Sequence, residues 1–371
     1  MIPVNTPLLS GNEAKYLQEC IDTQWISSEG PFVKRFQKEM ASYIGRNHGI
    51  AVSNGSAALD IAFRALNLPA GSEVIMPTFT IISPVQSCVY ADLKPILIES
   101  DPFTWNMDVN KIEEKITTKT RAICVVHMYG LPVDMDPILA LAKKYDLKVV
   151  EDAAEMHGQT YKGKKCGSFG DISTFSFYPN KHITTGEGGM IMTDDDKLAE
   201  RCHFYKNLCF EKERRFIHYE LGWNYRMTNL QAALGVAQLE KIDTHIKRKR
   251  EIGNLYNDLL EPIKDKLRLP LPKTDFAENI YWIYGLVTPK EEQAKSITET
   301  LNKLKIGTRP FFWCMHEQPV LQKMGWYKDE HYPFAEKMAR NGFYIPAGLG
   351  ITNKDIEIVA NHLIKAVHES I

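Results

Sequence analysis

The chain has 371 residues, a formal net charge of −1, and a composition that is 44% hydrophobic and 25% charged. These values are ordinary for a globular protein, and the length predicts about two domains. The near-neutral charge gives no basic footprint for nucleic acid or an anionic membrane. Seven cysteines occur singly, without a CxxC pair, and neither a signal peptide nor a long apolar run is evident, so we expect a reduced, cytoplasmic protein.

The first part of the chain predicts two helices joined by a polar loop. Residues 11–24 and 32–44 carry apolar side chains at helical spacing. The loop between them contains Trp25 and Ser28. Its small polar residues and its tryptophan suit contact with a ligand, and they equally suit a plain connection between helices.

From residue 49 onward, short apolar strands alternate with helices. A strand at 49–52 is followed by the small-residue turn 53–57 and a helix at 58–66, an order that directs free backbone amides at an anion. The turn has no Walker sequence, so it fits either a phosphate site or an ordinary connection. Further strands are predicted at 73–76, 95–99, 122–127 and 147–151, with helices at 82–89, 109–115 and 135–145. The alternation predicts a doubly wound, mostly parallel sheet that binds ligands at the carboxyl ends of its strands.

Asp152 follows the strand at 147–151 and therefore lies at the ligand-binding edge of that sheet. A carboxylate there suits a protonated ring nitrogen, a helix N-terminus or a metal ion. His157 is close in sequence, but no second pair of groups at ligand spacing supports a metal site, and we expect none.

The most informative segment is 171–190, in which a β-branched and aromatic strand ends at Pro179 and Asn180, immediately before Lys181. A glycine-rich turn at 184–189 follows, and then a second short strand. A lysine held against apolar walls loses its proton near neutral pH and attacks a carbonyl to form a Schiff base. A lone lysine is more often a solvated residue in a turn, so this interpretation depends on the rest of the chain.

The remaining sequence predicts a second, smaller domain. Residues 207–219 are polar and contain a basic cluster that fits a solvated loop, an anionic ligand or a partner subunit: Lys212, Arg214 and Arg215. A long helix opens at 222–229, and its apolar stripe extends to Tyr256. We divide the chain into domains at 1–243 and 244–371, the second with strands at 281–287 and 307–310 and helices at 292–304 and 353–370.

Specific motifs run nearly end to end along the chain: WISSEGPF, VSNGSAALDIAFRAL, EVIMPTFT, VHMYGLPVDMDPI, VVEDAAE, GSFGDISTFSFYPNKHITTGEGGM, NYRMTNLQAALGVAQLE, TRPFF and IPAGLGIT. Together they resemble the pyridoxal phosphate-dependent sugar aminotransferases of the DegT/StrS type, and within that family the perosamine synthases. The resemblance implies an α/β transferase of fold type I, similar to aspartate aminotransferase, with a mostly parallel sheet in the large domain and a smaller C-terminal α+β domain. It also implies a homodimer with active sites at the subunit interface.

The same resemblance implies roles for individual residues. Lys181 is the catalytic residue, which binds pyridoxal 5′-phosphate covalently and then moves protons. Asp152 pairs with the ring nitrogen, Ala154 lies against the ring, and Glu155 lies near the 3-hydroxyl. The phosphate is held by Gly55, Ser56, Ser176 and, from the other subunit, Asn224. The candidates for substrate contact are Trp25, Ser28, His182, Arg309 and His316, although Arg309 equally suits a pair with a carboxylate.

Two positions depart from the family pattern. Ile81 stands where many relatives carry an aromatic that stacks on the pyridine ring, so we expect no aromatic clamp there. His182 follows the lysine, and a related branch of sugar 3-dehydratases has histidine in place of the lysine itself. The order Asn180-Lys181-His182 keeps the lysine, which favours a transaminase.

The resemblance implies transfer of an amino group from L-glutamate to C4 of a nucleotide-linked 4-keto-6-deoxyhexose. GDP-4-keto-6-deoxymannose, giving GDP-perosamine, is the expected substrate. One alternative is a dTDP- or UDP-linked 4-keto-6-deoxyglucose, acetamido sugars included, because base contacts come from variable loops. The other is a sugar 3-dehydratase that uses the same cofactor. A noncatalytic, cofactor-binding regulator would lack Lys181 or Asp152, and both are present.

Overall fold

The protein, seen in a computed structural model that describes residues 1–211 and 213–371, alternates strands and helices along most of its length. Its strands are β1 His48–Val52, β2 Glu73–Pro77, β3 Lys94–Ile98, β4 Thr120–Val126, β5 Lys148–Asp152, β6 Thr160–Tyr161, β7 Lys164–Lys165, β8 Ile172–Ser176, β9 Gly189–Thr193, β10 Tyr284–Val287, β11 Arg309–Pro310 and β12 Gly342–Ile345. Its helices are α1 Glu13–Asp22, α2 Pro31–Ile44, α3 Gly55–Ala65, α4 Ser83–Tyr90, α5 Met135–Tyr145, α6 Asp196–Tyr205, α7 Asn229–Leu239, α8 Ile242–Leu259, α9 Glu291–Lys303, α10 Pro319–Lys323, α11 Pro333–Asn341 and α12 Asn353–Ser370. Short 3₁₀ helices occupy Val109–Lys111, Glu113–Lys115, Glu261–Ile263 and Met315–Glu317.

The central sheet contains seven of these described strands, in the order β1-β9-β8-β5-β4-β2-β3. Strand β9 runs antiparallel to both of its neighbours, whereas the other adjacent pairs are parallel. Strand β2 is buried along its whole length, as expected for a parallel sheet covered on both faces. The carboxyl ends of β1, β4, β5 and β8 therefore meet at one edge, where such folds bind their ligands.

A smaller antiparallel sheet, β10-β12-β11, follows in the C-terminal part. A separate hydrophobic cluster, drawn from residues 252–367, packs between this sheet and α8, α9 and α12. The N-terminal segment joins this part of the molecule, because the Ile2 N–H donates to the Lys305 carbonyl at 2.9 Å and the Gly307 N–H donates to the Ile2 carbonyl at 2.9 Å. The domain boundary at 243 and 244 stays a prediction, but residues at the very start of the chain pack with the second part.

Several predicted bounds differ from the structure, among them those of three helices. Helix α3 begins at Gly55 rather than at 58, because the Asn54 side chain accepts a hydrogen bond from the Ala57 N–H at 2.8 Å and caps the helix. The single helix predicted from 222 onward is two helices, the first opened by a capping box between Thr228 and Gln231. The helix predicted at 109–115 is a pair of 3₁₀ turns. In the part of the chain that the structure describes, no helix is both long enough and apolar enough to cross a bilayer.

Candidate active site

A cavity of about 560 Å³ opens at the carboxyl edge of the central sheet and is closed on its other side by the smaller sheet. The start of α3 and the ends of β5 and β8 supply part of its lining, and Trp282, Phe312 and Tyr344 from the C-terminal part supply another. The structure brings these predicted site residues together around it: Gly55, Ser56, Asp152, Ala154, Glu155, Ser176 and Lys181. Ile81 also lines the cavity.

The first turn of α3 forms the end of the cavity that suits an anion. Backbone N–H groups in the first turn of a helix have no partner within the helix, and they lie at the positive end of its dipole. A Cβ atom on Gly55 would lie 2.7 Å from the Cβ of Ser176, so only glycine allows this close approach of the helix to β8. The Ser56 hydroxyl, 2.8 Å from that of Ser83, adds a polar group at the same end. This arrangement fits a phosphate group.

Asp152 also lines the cavity, at the end of β5, and is only 4% exposed. One carboxylate oxygen accepts a hydrogen bond from the Ala154 N–H at 3.1 Å, and the other has no protein partner among the described residues. Burial raises the pKa of this carboxyl, while the Ala154 N–H and the charge of Lys181 lower it. A buried carboxylate with a free oxygen is suited to a protonated ring nitrogen.

Lys181 lies between a carboxylate and an aromatic ring. Its Nζ is 3.9 Å from Oε1 of Glu155 and 3.9 Å from the centroid of the Trp282 ring, and its side chain is 10% exposed. Burial lowers the pKa of the Lys181 amine, and the charges of Glu155 and Asp152 oppose that shift. A lowered pKa increases the share of unprotonated amine, which is the form that attacks a carbonyl. The phosphate cradle, the carboxylate and the lysine thus fit pyridoxal phosphate.

Glu155 gives a prediction for the pH dependence of stability. The Tyr129 N–H donates to its carboxylate at 2.7 Å, yet burial raises its pKa from 4.5 to about 8. The folded chain therefore binds this proton more tightly than the unfolded chain, and the free energy of unfolding falls as the pH rises from 4.5 to about 8. We expect Glu155→Gln to remove this part of the slope and to stabilise the cofactor-free protein above pH 8. Urea unfolding of both proteins across that range is the measurement, and parallel curves would contradict the assignment.

The buried Glu151 carboxyl lies beside His127, which lines the cavity. Glu151 has no exposed surface and accepts hydrogen bonds from the N–H groups of Gly167 at 2.5 Å and Phe169 at 2.8 Å. Its third partner is Nε2 of His127 at 3.0 Å, while Nδ1 of His127 accepts from the Val133 N–H at 3.0 Å. These bonds place the imidazole proton on Nε2. Although Cys166 completes a possible metal-ligand cluster, the donors that already surround Glu151 explain the group without an ion.

The remaining predicted residues lie outside the cavity lining. Asn224 is exposed, and its Oδ1 accepts from Nε of Arg226 at 2.8 Å. Trp25 is 49% exposed, and Ser28 is half-buried in the same loop. Arg309 is exposed on β11, opposite Tyr344 of β12. In the basic cluster, Arg214 and Arg215 are exposed, whereas Lys212 lies outside the described residues. For these residues the predicted roles stay predictions.

Two residues predicted to contact the substrate, His182 and His316, are buried outside the cavity lining. His182 is 1% exposed and directs its ring away from the cavity toward the ring of His157, 6.3 Å away between centroids. His316 is 2% exposed, with Nδ1 2.8 Å from the Thr78 hydroxyl and Nε2 3.1 Å from Glu336. Both rings are enclosed by protein and lie outside the cavity lining, and their substrate roles stay predictions.

The sequence interpretation missed the wall contributed by the smaller sheet. Trp282 precedes β10, Phe312 follows β11, and Tyr344 belongs to β12. These residues are distant in sequence from Lys181, so no local spacing links them to it. The aromatic pair in the TRPFF motif was the one available signal, since Phe312 is its last residue.

Comparisons with known proteins agree with this site. Residues 7–364 match the model of the DegT/DnrJ/EryC1/StrS aminotransferase family. The chain is similar to a GDP-perosamine synthase of Escherichia coli O157:H7, at 42% identity over 96% of this chain and 95% of the relative. It is also similar to a dTDP-3-amino-3,6-dideoxy-alpha-D-galactopyranose transaminase of Aneurinibacillus thermoaerophilus, at 40% identity over 92% of each chain.

The fold comparison leads to the same family. The solved structure of an aminotransferase from Psychrobacter cryohalolentis superposes with a TM-score of 0.91 at 27% identity, covering 99% of this chain and 100% of that one. The predicted family and the predicted fold type I are thereby confirmed. The chain belongs to the DegT/DnrJ/EryC1/StrS aminotransferase family and is a pyridoxal phosphate-dependent aminotransferase.

Proposed function

We propose that the protein transfers the amino group of L-glutamate to C4 of GDP-4-keto-6-deoxymannose and so forms GDP-perosamine. The observation that carries the reaction type is the placement of Lys181, Asp152 and the first turn of α3 around one cavity. The near full-length similarity to a GDP-perosamine synthase supports the sugar and the nucleotide.

Each residue of the site has a defined task in this reaction. When bound, pyridoxal phosphate supplies an electron sink for charge that develops at the reacting carbon. Lys181 removes the proton from Cα of glutamate and later delivers a proton to C4 of the sugar, a contribution of about 100- to 10,000-fold. Asp152 holds a proton on the ring nitrogen. The α3 amides fix the phosphate, while Trp282 and Tyr344 limit the access of water from the other wall.

The substrate is tested by incubating the holoenzyme with glutamate and a panel of nucleotide-linked 4-keto-6-deoxysugars, followed by mass spectrometry. Amination of the GDP-linked sugar at C4 is the expected result. Amination of only a dTDP-linked sugar would favour the second candidate, a dTDP-sugar aminotransferase, which the Aneurinibacillus relative supports. A sugar that loses a hydroxyl without gaining nitrogen would identify a dehydratase and overturn the proposal.

We propose further that the protein is a homodimer whose subunits share active sites. Asn224 is exposed and outside the lining of its own cavity, and large apolar side chains just before it are also exposed: Phe216 at 79%, Tyr219 at 76% and Leu221 at 88%. Exposed apolar groups clustered beside a polar residue favour contact with a second copy.

Subunit mixing tests this sharing. In an equal mixture of Lys181→Ala and Asn224→Ala subunits, half of the dimers are hybrids with one intact site, so about a quarter of the sites should be active. The matched control mixes Lys181→Ala with Asp152→Asn, because both residues line the same cavity of one subunit and no intact site can form. Equal activity in the two mixtures would contradict the proposal.

A cytoplasmic location is the last part of the proposal. All seven cysteines are buried and unpaired, which suits a reducing compartment. Alkylation of the unfolded protein from lysate should modify all seven thiols, and a protected pair would count against this location.

A further inference from the structure

Trp282 makes two different contacts with the segment that carries the reactive lysine. Its ring face lies 3.9 Å from Nζ of Lys181, and its indole N–H donates to the carbonyl of Asn180 at 2.9 Å. The side chain is only 5% exposed. One residue thus contacts both the amine and the backbone immediately before it.

Trp282 is itself held from two sides. Its carbonyl accepts a hydrogen bond from Nζ of the buried Lys249 at 3.1 Å. Its ring stacks on that of Tyr129 with centroids 5.9 Å apart and an interplanar angle of 29°. The position of the indole is therefore fixed independently of Lys181.

The backbone on both sides of Lys181 is held by side chains from outside the central sheet. The Pro179 carbonyl accepts from Nδ2 of Asn5 at 3.0 Å, and the His182 carbonyl lies 2.9 Å from Nδ1 of His245. These donors fix the main chain but do not touch the amine. Of these three donors, Trp282 also contacts Nζ through its ring face.

We propose that Trp282 is a positioning residue. Its ring holds the Lys181 amine in place when the amine is not bound to cofactor, and its indole N–H fixes the Asn180 carbonyl. An aromatic face attracts an ammonium group, and the attraction increases where water is excluded. The Glu155 carboxyl, with Oε1 3.9 Å from Nζ, is a second group in contact with the amine.

The pH at which the Lys181 amine loses its proton depends on the groups around it. Glu155 and Asp152 are the carboxylates that act on Lys181. Burial lowers the pKa of His157 to about 3 and that of His182 well below its ordinary value, so both imidazoles are neutral near pH 7. The aromatic face of Trp282 is the remaining group that favours the protonated amine.

Fluorotryptophan tests the proposal without changing the shape of the site. The full chain, freed of cofactor, is prepared with fluorotryptophan at its six tryptophan positions, because fluorine weakens the attraction of the ring for a cation. The pH midpoint for acetylation of Lys181 by a small reagent is measured by peptide mass spectrometry. We expect fluorination to lower that midpoint by about 0.3 pH unit, roughly a twofold change in the ratio of protonated to free amine.

The matched control is Trp282→Phe, which keeps an aromatic ring but cannot take up the label. Fluorination of the other tryptophans in this variant should leave the midpoint unchanged. An unchanged midpoint in the labelled wild type, or an equal fall in labelled Trp282→Phe, would overturn the proposal.

Fluorine NMR supplies the second readout. The Trp282 resonance, identified by its loss in Trp282→Phe, should titrate with pH in the wild type and stay constant in Lys181→Met. An equal titration in both proteins would show that the ring responds to Glu155 instead and would overturn the assignment. The inference rests on Lys181 as the reactive lysine of the proposed function, but no sugar is used, so an error in the substrate leaves these measurements unaffected.

Discussion

Replacement of Lys181 by alanine is expected to slow amino transfer by about 100- to 10,000-fold, which is the usual contribution of a general acid–base group. The variant also loses the covalent link to the cofactor, because no other lysine lines the cavity within the described residues. The visible absorbance of the purified protein should therefore change to that of noncovalently held cofactor. Absorbance spectra and single-turnover rates with glutamate are the measurements.

Lys165→Ala is the matched control for that experiment. Burial also lowers the pKa of Lys165, but its amine bonds to the Tyr43 hydroxyl at 2.9 Å and does not line the cavity. Its spectrum and rate should be those of the wild type. If Lys181→Ala retained the wild-type spectrum, the reactive lysine would be another residue.

Asp152→Asn is expected to reduce the single-turnover rate with glutamate by about 100- to 1,000-fold, on the scale of losing one preorganised electrostatic partner. Asparagine keeps the shape and the acceptor for the Ala154 N–H, so the fold is preserved. A neutral amide cannot hold a proton on the ring nitrogen, so charge at the reacting carbon is less stabilised. Cofactor binding should persist, because Lys181 and the α3 amides are unchanged. Stopped-flow absorbance separates the two effects.

Asp171→Asn provides the comparison, since Asp171 lies just before β8, toward the opposite edge of the sheet from the cavity. Its carboxylate accepts from Lys148 at 2.8 Å and from the Val149 N–H at 2.9 Å. Its loss should leave the rate with glutamate unchanged. Equal losses in the two variants would mean that Asp152 acts on the sheet and not on the cofactor.

Local patterns were sufficient to predict most elements of the fold. Helix α5 and helix α12 have the predicted bounds, because their apolar stripes and ends are local signals. The break between α7 and α8 was missed, because the apolar stripe of the sequence continues across residues at which the helix is interrupted. The place of β9 between β1 and β8 was also not predictable, because strand order depends on contacts between distant segments.

The chemical centre was predictable to a similar extent. Asp152 ends β5 and Lys181 follows β8. Strand ends of a parallel sheet meet at one edge, so the proximity of the two residues follows from the pattern. His182 was predicted as a substrate contact from its place beside Lys181, but consecutive residues in a bend direct their side chains differently. The aromatic wall depends on how the smaller sheet packs against the larger one, which local sequence does not encode.

The pairing of β1 with β9 has a consequence for the order of folding. Strand β1 is hydrogen-bonded in the sheet to β9, with Val52 opposite Gly189, and Gly189 also packs against the carbonyl of Asn54. During synthesis β1 cannot pair with β9 until β9 has been made, and contacts between segments so distant in sequence form slowly. We expect the start of α3 to reach its place beside Ser176 only after Gly189 has been synthesised, because β9 lies between β1 and β8. We therefore expect the phosphate cradle to be complete only after the segment that carries Lys181 has been synthesised.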